Sequence, residues 1–194
     1  MALTPSTMSP LGTPAPDFSL QDTVTGKPVT LAGFAGKKAL LVIFGCNHCP
    51  YVKHVKGGLV KLGKDYGKTD AAIVMISAND PGSHPDDAPE KLGAEAKALG
   101  YGFPVLFDAT QKVAQAYRAA CTPDFFVYDG ARKLAYRGQF DASRPGNGQP
   151  VTGADVRAAL DAVLAGKPVA SKQQPSLGCN IKWRAGNEPD YFKS

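Results

Sequence analysis

The sequence predicts an α/β protein with helices on both faces of one mostly parallel sheet. Residues 39–44 are an unbroken apolar run with neither alternation nor helical spacing, which is typical of a strand buried on both faces. Residues 71–77 form a second run of this kind, and an amphipathic helical pattern follows each of the two. Because buried strands alternate with helices, a sandwich of helix, sheet and helix is the expected architecture.

The composition is that of an ordinary globular protein. Of the 194 residues, 43% are hydrophobic and 20% are charged, which suits one or at most two domains. No apolar run approaches the ~18 residues of a membrane span. The first residues lack the basic start and apolar core of a signal peptide, so a cytoplasmic protein is expected. The 22 Lys and Arg are dispersed, so neither nucleic acid nor membrane is expected as a partner, despite a net charge of +5.

The first half of the chain leads to the buried strand and its helix. Prolines at positions 5, 10, 14 and 16 predict a mobile N-terminal arm over residues 1–14. A turn at Thr25-Gly26 predicts a β-hairpin, with which the main domain, residues 15–166, begins. The helix after the first buried strand contains Gly57-Gly58, and this pair indicates either close packing or a local kink.

The second half continues the alternation. The pattern predicts, in order, a strand at 71–77, a helix at 87–99, a strand at 103–107, a helix at 111–120, a hairpin with strands at 125–128 and 134–140, and a helix at 154–164. Residues 167–194 form a C-terminal extension without clear periodicity, and this extension carries Cys179.

The residues with the most distinctive chemistry follow the first buried strand as Cys46-Asn47-His48-Cys49-Pro50. Proline is tolerated at the first helical position, where its missing N–H costs nothing, so Pro50 at that position makes Cys49 the N-cap. The unpaired N–H groups and the positive end of the helix dipole favour a thiolate there. Cys49 is therefore the candidate nucleophile. An alternative frame starts the helix at Cys46 and makes that residue the attacker.

The number and spacing of the cysteines indicate redox or metal chemistry. Four cysteines in a cytosolic protein, at positions 46, 49, 121 and 179, favour these roles over a structural disulfide framework. A four-residue turn brings its end Cα atoms within about 7 Å, so Cys46 can reach Cys49 in a disulfide. The first two helical turns add positive charge near that pair, from Lys53, His54 and Lys56.

The order of elements, the cysteines after the first buried strand and Thr122-Pro123 before a late strand together resemble a thioredoxin fold. The segment APDFSLQDTVTGKPVTL resembles the N-terminal hairpin of the peroxiredoxin branch, the alkyl hydroperoxide reductase and thiol-specific antioxidant family, also called redoxins. The resemblance covers residues 15 to 165. It implies a thioredoxin-like α/β/α sandwich with an N-terminal β-hairpin and a C-terminal extension.

The family resemblance also implies roles for individual residues. In this family the attacking cysteine opens the helix and is followed by proline, as in Cys49-Pro50. The resemblance further implies a cis bond at Pro123, a backbone contact from Thr122 to an incoming disulfide, and a place for Cys121 near Cys49. The tail segment GCNIKWRAG is similar to the resolving-cysteine segment of typical two-cysteine peroxiredoxins. That similarity implies a resolving role for Cys179, within the chain or across a dimer.

Two departures from the peroxiredoxin pattern shape the expected activity. Peroxiredoxins place Thr or Ser three residues before the attacking cysteine, where this chain has Cys46. Their active-site Arg is replaced here by Pro123 or a neighbour. Both changes remove groups that polarise a peroxide bond, whereas Cys46 supplies a local resolving thiol. Disulfide exchange is therefore favoured over efficient peroxide reduction. Thioredoxins carry their second cysteine three residues after the first, and that position is Val52 here.

We therefore expect a cytoplasmic thiol-disulfide oxidoreductase that attacks with Cys49 and resolves with Cys46 or Cys179. The first alternative is a thiol-dependent peroxidase with Cys49 peroxidatic and Cys179 resolving. The expected partners are a thioredoxin-like or other thiol reductant and a disulfide or hydroperoxide substrate, and the expected assembly is a monomer or homodimer. No organic cofactor is expected, because sulfur carries the electrons.

The second alternative is a Cu(I) or Zn binding protein on the same fold. Soft and borderline donors are available for such a site: Cys46, His48, Cys49, His54 and Cys121. A structural zinc site usually has two well-separated ligand pairs, and the second pair is missing from this sequence. A resident metal is therefore not expected.

Overall fold

The fold, seen in a computed structural model that describes residues 3–192, contains short strands and four α-helices in alternation. The strands are β1 (Leu3–Pro5), β2 (Ser19–Asp22), β3 (Pro28–Thr30), β4 (Ala39–Phe44), β5 (Ala71–Ser77), β6 (Val105–Phe107), β7 (Cys121–Thr122), β8 (Asp124–Tyr128), β9 (Leu134–Gly138) and β10 (Leu177–Asn180). The helices are α1 (Pro50–Tyr66), α2 (Pro89–Leu99), α3 (Lys112–Ala116) and α4 (Ala154–Leu164).

Seven strands form the central sheet in the order β3-β2-β6-β5-β4-β8-β9. Strand β4 is parallel to β5 and antiparallel to β8, and β6 is parallel to β5 and antiparallel to β2. The sheet is therefore mixed, which corrects the expectation of a mostly parallel one. The reason is that the two predicted hairpins, β2–β3 and β8–β9, join the sheet at its ends, and strands joined by a tight turn are antiparallel.

Helices cover both faces of this sheet. Successive side chains of β4 point to opposite sides, so Leu41 and Ile43 belong to a core shared with α1, α2 and α4, whereas Leu40 and Val42 belong to a core that includes Ala114 of α3. Every residue of β4 is buried, as an unbroken apolar run predicts for a central strand. The architecture is the α/β/α sandwich that the sequence predicts.

Two helices are shorter than predicted. Helix α2 begins at Pro89, because proline suits the first helical position, and this leaves Asp87 in a preceding 3-10 turn. Helix α3 ends at Ala116, and Arg118 then has a φ of 52°, outside the right-handed helical region. As a result, Asp87 lies outside the helix and faces the loop between Cys46 and Cys49.

The two ends of the described chain meet in a second, three-stranded sheet of order β1-β10-β7. Strand β10 lies between β1 and β7 and is antiparallel to both. Ser6, next to β1, is buried, and its Oγ donates to Asp124 Oδ1 at 2.7 Å. Residues 3–6 of the predicted arm are therefore held against the domain, and the mobility of the arm stays a prediction. Residues 1–2 of the arm and 193–194 of the tail lie outside the described residues.

A membrane-spanning helix must be both long and apolar. Among residues 3–192, none of the helices combines the length and the apolar character that a bilayer crossing requires.

Candidate active site

Cys49 stands at the start of α1, as the sequence predicts. It is the N-cap, with extended backbone (φ −65°, ψ 124°), and Pro50 is the first helical residue. The alternative frame, in which the helix starts at Cys46, is therefore wrong. The N–H groups of the first helical turn are directed towards Cys49, which is the arrangement that favours a thiolate.

The Thr122-Pro123 bond is cis and lies directly beside Cys49. Strand β7 ends at Thr122 and β8 begins at Asp124, where it pairs with Phe44 at the end of β4. This brings the carbonyl oxygen of Thr122 to 3.1 Å from Cys49 Sγ. The Thr122 hydroxyl oxygen lies 3.5 Å from Cys46 Sγ. Thr122 thus contacts both cysteines of the helix-start motif.

Strand β10 brings Cys179 into the same cluster. Its register places Cys179 opposite Thr122, and the side chain packs with Cys46, Cys49 and Val52. All three cysteines are buried: Cys49 has 0% of its surface exposed, Cys46 1% and Cys179 2%. The helix-start position is thus confirmed, but Cys49 is packed against Cys179 of β10 and is not open to solvent.

The three thiols differ in pKa: that of Cys49 is lowered, and those of Cys46 and Cys179 are raised. Hydrogen bonds from the side chains of Cys179 and Cys46 hold the pKa of Cys49 well below its ordinary value, and they outweigh burial, which acts in the opposite direction. The hydrogen bond to Cys49 and burial raise the pKa of Cys179, while burial raises that of Cys46. Of these three thiols, Cys49 is therefore the one that ionises most readily.

The loop between the two cysteines is held by Asp87, a residue that sequence reasoning missed. Its Oδ1 accepts from the backbone N–H groups of Asn47 (2.8 Å) and His48 (3.1 Å), and its Oδ2 accepts from Asn79 Nδ2 (2.8 Å). His48 Nδ1 lies 2.5 Å from the same Oδ2 and 3.7 Å from Cys46 Sγ. The sequence offers no signal for this role, since its pattern predicts that Asp87 begins a helix.

Cys121 is not part of the cluster. Its neighbour Thr122 faces Cys49, and because strand residues alternate, Cys121 points the other way. Its Sγ lies 3.6 Å from the carbonyl oxygen of Pro123, and burial raises its pKa. The predicted site residues are therefore separated: the structure brings together Cys46, Cys49, Cys179 and Thr122, next to Pro123, and leaves Cys121 outside.

Two of the basic residues at the start of α1, Lys56 and His54, have other partners. Lys56 forms an ion pair with Glu95, and His54 Nε2 lies 2.6 Å from Ser143 Oγ. The groups that lower the Cys49 pKa most are the side chains of Cys179 and Cys46. The thiolate is therefore favoured chiefly by the neighbouring thiols.

A metal would find three donors of mixed character in the described residues. Cys46 Sγ, His48 Nδ1 and an Asp87 carboxylate oxygen lie within 4.8 Å of one another. His48 Nδ1 and Asp87 Oδ2 are already joined by a hydrogen bond, so a cation would have to replace it. Of the donors that the sequence suggested, His54 and Cys121 lie elsewhere.

A cysteine at the start of a helix, beside a cis-proline and two further thiols on an α/β/α sandwich, defines the site of a thiol redox protein. Known proteins agree with this class. The model of the AhpC/TSA family matches residues 11–137. The chain belongs to this family of thioredoxin-fold redoxins, as its resemblance to them implied, and it is an oxidoreductase.

Individual relatives refine the picture. The chain is 28% identical over 139 residues to "Thiol-disulfide oxidoreductase ResA" of Geobacillus thermodenitrificans, covering 68% of this chain and 70% of that protein. A hypothetical protein from Sinorhizobium meliloti 1021 is 55% identical, with a TM-score of 0.92 and coverage of 94% of this chain and 100% of that one. An uncharacterized conserved protein from Geobacillus kaustophilus is 50% identical, with a TM-score of 0.93 and coverage of 95% and 97%.

Proposed function

We propose that this protein is a thiol-disulfide oxidoreductase with Cys49 as its nucleophile. The observation that carries the proposal is the position of Cys49 Sγ, at the N-cap of α1 and 3.1 Å from the backbone oxygen of Thr122, with the thiols of Cys46 and Cys179 beside it. The likeness to an enzyme described as a thiol-disulfide oxidoreductase supports this activity.

The reaction consists of two thiol-disulfide exchanges. The Cys49 thiolate attacks one sulfur of the substrate disulfide, that bond breaks, and the other sulfur leaves as a thiolate. Cys46 then attacks Cys49 Sγ in the mixed disulfide, and its proton passes to the departing substrate sulfur. The products are a Cys46–Cys49 disulfide and a reduced substrate. A thioredoxin-like or other thiol reductant restores the two thiols.

Single-cysteine variants test this assignment in an insulin-type disulfide reduction assay. Cys49→Ser should reduce turnover to the uncatalysed rate, whereas Cys121→Ser should keep it, because Cys121 lies outside the cluster. Cys46→Ser should accumulate the mixed disulfide, which mass spectrometry detects. Full turnover by Cys49→Ser would contradict the proposal.

A second candidate is a thiol-dependent peroxidase, and the burial of Cys49 favours it. A small hydroperoxide reaches a covered sulfur more easily than a protein disulfide does. Cys49 would break the O–O bond and become a sulfenic acid, releasing water or an alcohol. Cys179 would then attack that sulfur, release water and form a disulfide. Thiol counting separates the candidates: a peroxidase loses two thiols rapidly at micromolar peroxide, whereas a disulfide oxidoreductase loses them slowly.

Metal binding is the remaining alternative function. The cluster of Cys46, His48 and Asp87 is the observation that favours a Cu(I) or Zn carrier, and metal analysis of protein purified without chelator tests it.

A cytoplasmic location is part of our main proposal, since a site that needs thiols works in a reducing compartment. Cell fractionation checks the location, and light scattering distinguishes a monomer from a homodimer.

A further inference from the structure

The edge of β7 beside Cys49 is occupied by the chain's own strand β10. The register pairs Cys179 with Thr122 and Asn180 with Cys121. The carbonyl oxygen of Thr122 also accepts a hydrogen bond from Cys49 Sγ at 3.1 Å. A disulfide-bearing strand that aligned with Thr122 would therefore compete with β10 for the same backbone groups.

Glycine is required immediately before Cys179. A Cβ at Gly178 would overlap the carbonyl oxygen of Thr122, and it would lie 2.7 Å from the carbonyl carbon and 3.3 Å from the nitrogen of Pro123. All three are backbone atoms, which cannot rotate away as a side chain can. A strand can therefore pair this closely with β7 only if glycine immediately precedes its cysteine.

The strand is fastened at both ends and only lightly paired with β7 between them. Ser176 Oγ donates to the carbonyl oxygen of Pro123 at 2.5 Å, and the Ile181 N–H donates to the carbonyl oxygen of Ala120 at 3.2 Å. The ladder between these anchors consists of two residue pairs. The other edge of β10 pairs with β1 over three residues, so we expect β1 and β10 to open from β7 together, as one local unit.

We propose that the β7 edge is a docking site for an extended segment of a partner protein that carries glycine immediately before a disulfide-bonded cysteine, with β10 as a built-in competitor. The proposal rests on the proposed function and adds its substrate class. When β10 opens, Cys49 attacks the partner's cysteine sulfur, and the other half of the disulfide leaves as a thiolate. Cys46 then attacks Cys49 Sγ, its proton goes to the departing partner sulfur, a Cys46–Cys49 disulfide forms, and β10 returns to the vacated edge.

Two synthetic peptides test the docking requirement on the reduced, full-length chain. They are acetyl-Leu-Gly-Cys-Asn-amide and acetyl-Leu-Ala-Cys-Asn-amide, each with its cysteine in a disulfide with thionitrobenzoate, whose coloured thiolate reports attack. After correction for the rate of each peptide with a free thiol, the glycine peptide should react faster by about tenfold or more. Equal corrected rates would overturn the proposal.

A matched pair of variants tests the competition. Gly178→Ala should unseat β10 and accelerate attack on the glycine peptide, whereas Gly57→Ala, where a new Cβ meets open space, should leave the rate unchanged. An unaltered rate in a folded Gly178→Ala protein would show that β10 does not compete. If that variant fails to fold, the comparison of peptides on the unmodified chain still decides the docking requirement.

These experiments distinguish failure of the proposed oxidoreductase function from failure of the proposed docking site. If neither peptide releases more thiolate from the unmodified chain or from Gly178→Ala than from Cys49→Ser, the proposed oxidoreductase function fails. If thiolate is released without discrimination between the peptides, the function stands and the glycine-dependent docking site is wrong.

Discussion

The Asp87 carboxylate shows how one residue can hold an active-site loop. It accepts four hydrogen bonds, two from the backbone and two from the side chains of His48 and Asn79, and it has no exposed surface. Burial by itself would raise the pKa of Asp87, but the hydrogen bonds outweigh burial and hold the pKa below its usual value. The charged form is therefore the one that stabilises the fold.

Asp87→Asn should destabilise the protein, because an amide cannot accept all of these bonds. We expect the free energy of unfolding at pH 7 to fall by about 1–3 kcal/mol. Since the folded pKa is depressed, the stabilisation is present above the ordinary value of about 4 and is lost as the pH falls through the folded pKa. The difference between wild type and variant in urea unfolding should therefore shrink from pH 7 to pH 3. Asp86→Asn, at an exposed neighbour, should show no comparable change.

Cys179 is expected to control the acidity of Cys49. Its thiol is the main cause of the low Cys49 pKa, so Cys179→Ala should raise that pKa, and Cys179→Ser, which keeps a hydroxyl donor, should raise it less. The measurement is the pH dependence of Cys49 alkylation by iodoacetamide, followed by peptide mass mapping. A midpoint in Cys179→Ala that coincides with that of the wild type would refute this role.

At the level of elements, helix α1 carries two adjacent glycines with opposite environments. A Cβ at Gly58 would lie 2.8 Å from side-chain atoms of Phe140 and Val151, whereas a Cβ at Gly57 meets nothing within 4 Å. The helix is unbroken from Pro50 to Tyr66, so close packing and not a kink accounts for Gly58. This packing holds α1, and with it Cys49, against the loop that precedes α4.

The two glycines therefore predict opposite effects of the same substitution. Gly58→Ala should destabilise by about 1–3 kcal/mol through overpacking. Gly57→Ala should stabilise by about 0.5–1 kcal/mol, because alanine loses less backbone freedom in a helix. Thermal unfolding of the two variants beside wild type checks both signs. Equal shifts in the two would mean that Phe140 and Val151 do not limit the space at Gly58.

At the level of the whole molecule, a hydrogen-bond network around a buried ion pair joins the N-terminal segment to the central sheet. Arg137 on β9 lies 3.1 Å from Asp124 on β8, and both side chains have 0% exposure. The guanidinium also donates to Ser9 Oγ at 2.9 Å and to the carbonyl oxygen of Arg118 at 2.6 Å. Since Asp124 also accepts from Ser6, one network spans residues 6–137 next to the active site.

Arg137→Met should be strongly destabilising, because it leaves the Asp124 charge buried without its partner. We expect a loss of about 3–5 kcal/mol in the free energy of unfolding, measured by urea denaturation. The double variant Arg137→Met/Asp124→Leu should recover part of this loss, since no charge remains unpaired. Arg184→Met, which breaks an ion pair at a partly exposed position, serves as the control and should change little.

Much of the fold was predictable because its signals are local. The apolar run of β4, the predicted hairpin with strands at 125–128 and 134–140 and the predicted helix at 154–164 each depend on neighbours in the chain, and the structure confirms all three elements. The position of Cys49 at a helix start was predictable for the same reason, since Pro50 occupies the first helical position wherever that helix lies.

The sequence by itself thus determined the α/β/α sandwich, the thiol chemistry and the helix-start cysteine, because these depend on side-chain periodicity, proline stereochemistry and the nature of sulfur. Only the tertiary structure decided that Asp87 holds the loop of Asn47, 40 positions earlier in the chain, and that β10 covers Cys49. Contacts of this kind depend on which distant backbones approach closely enough to pair. The close approach of β10 to β7 is possible because Gly178 has no Cβ that would overlap the backbone of Thr122.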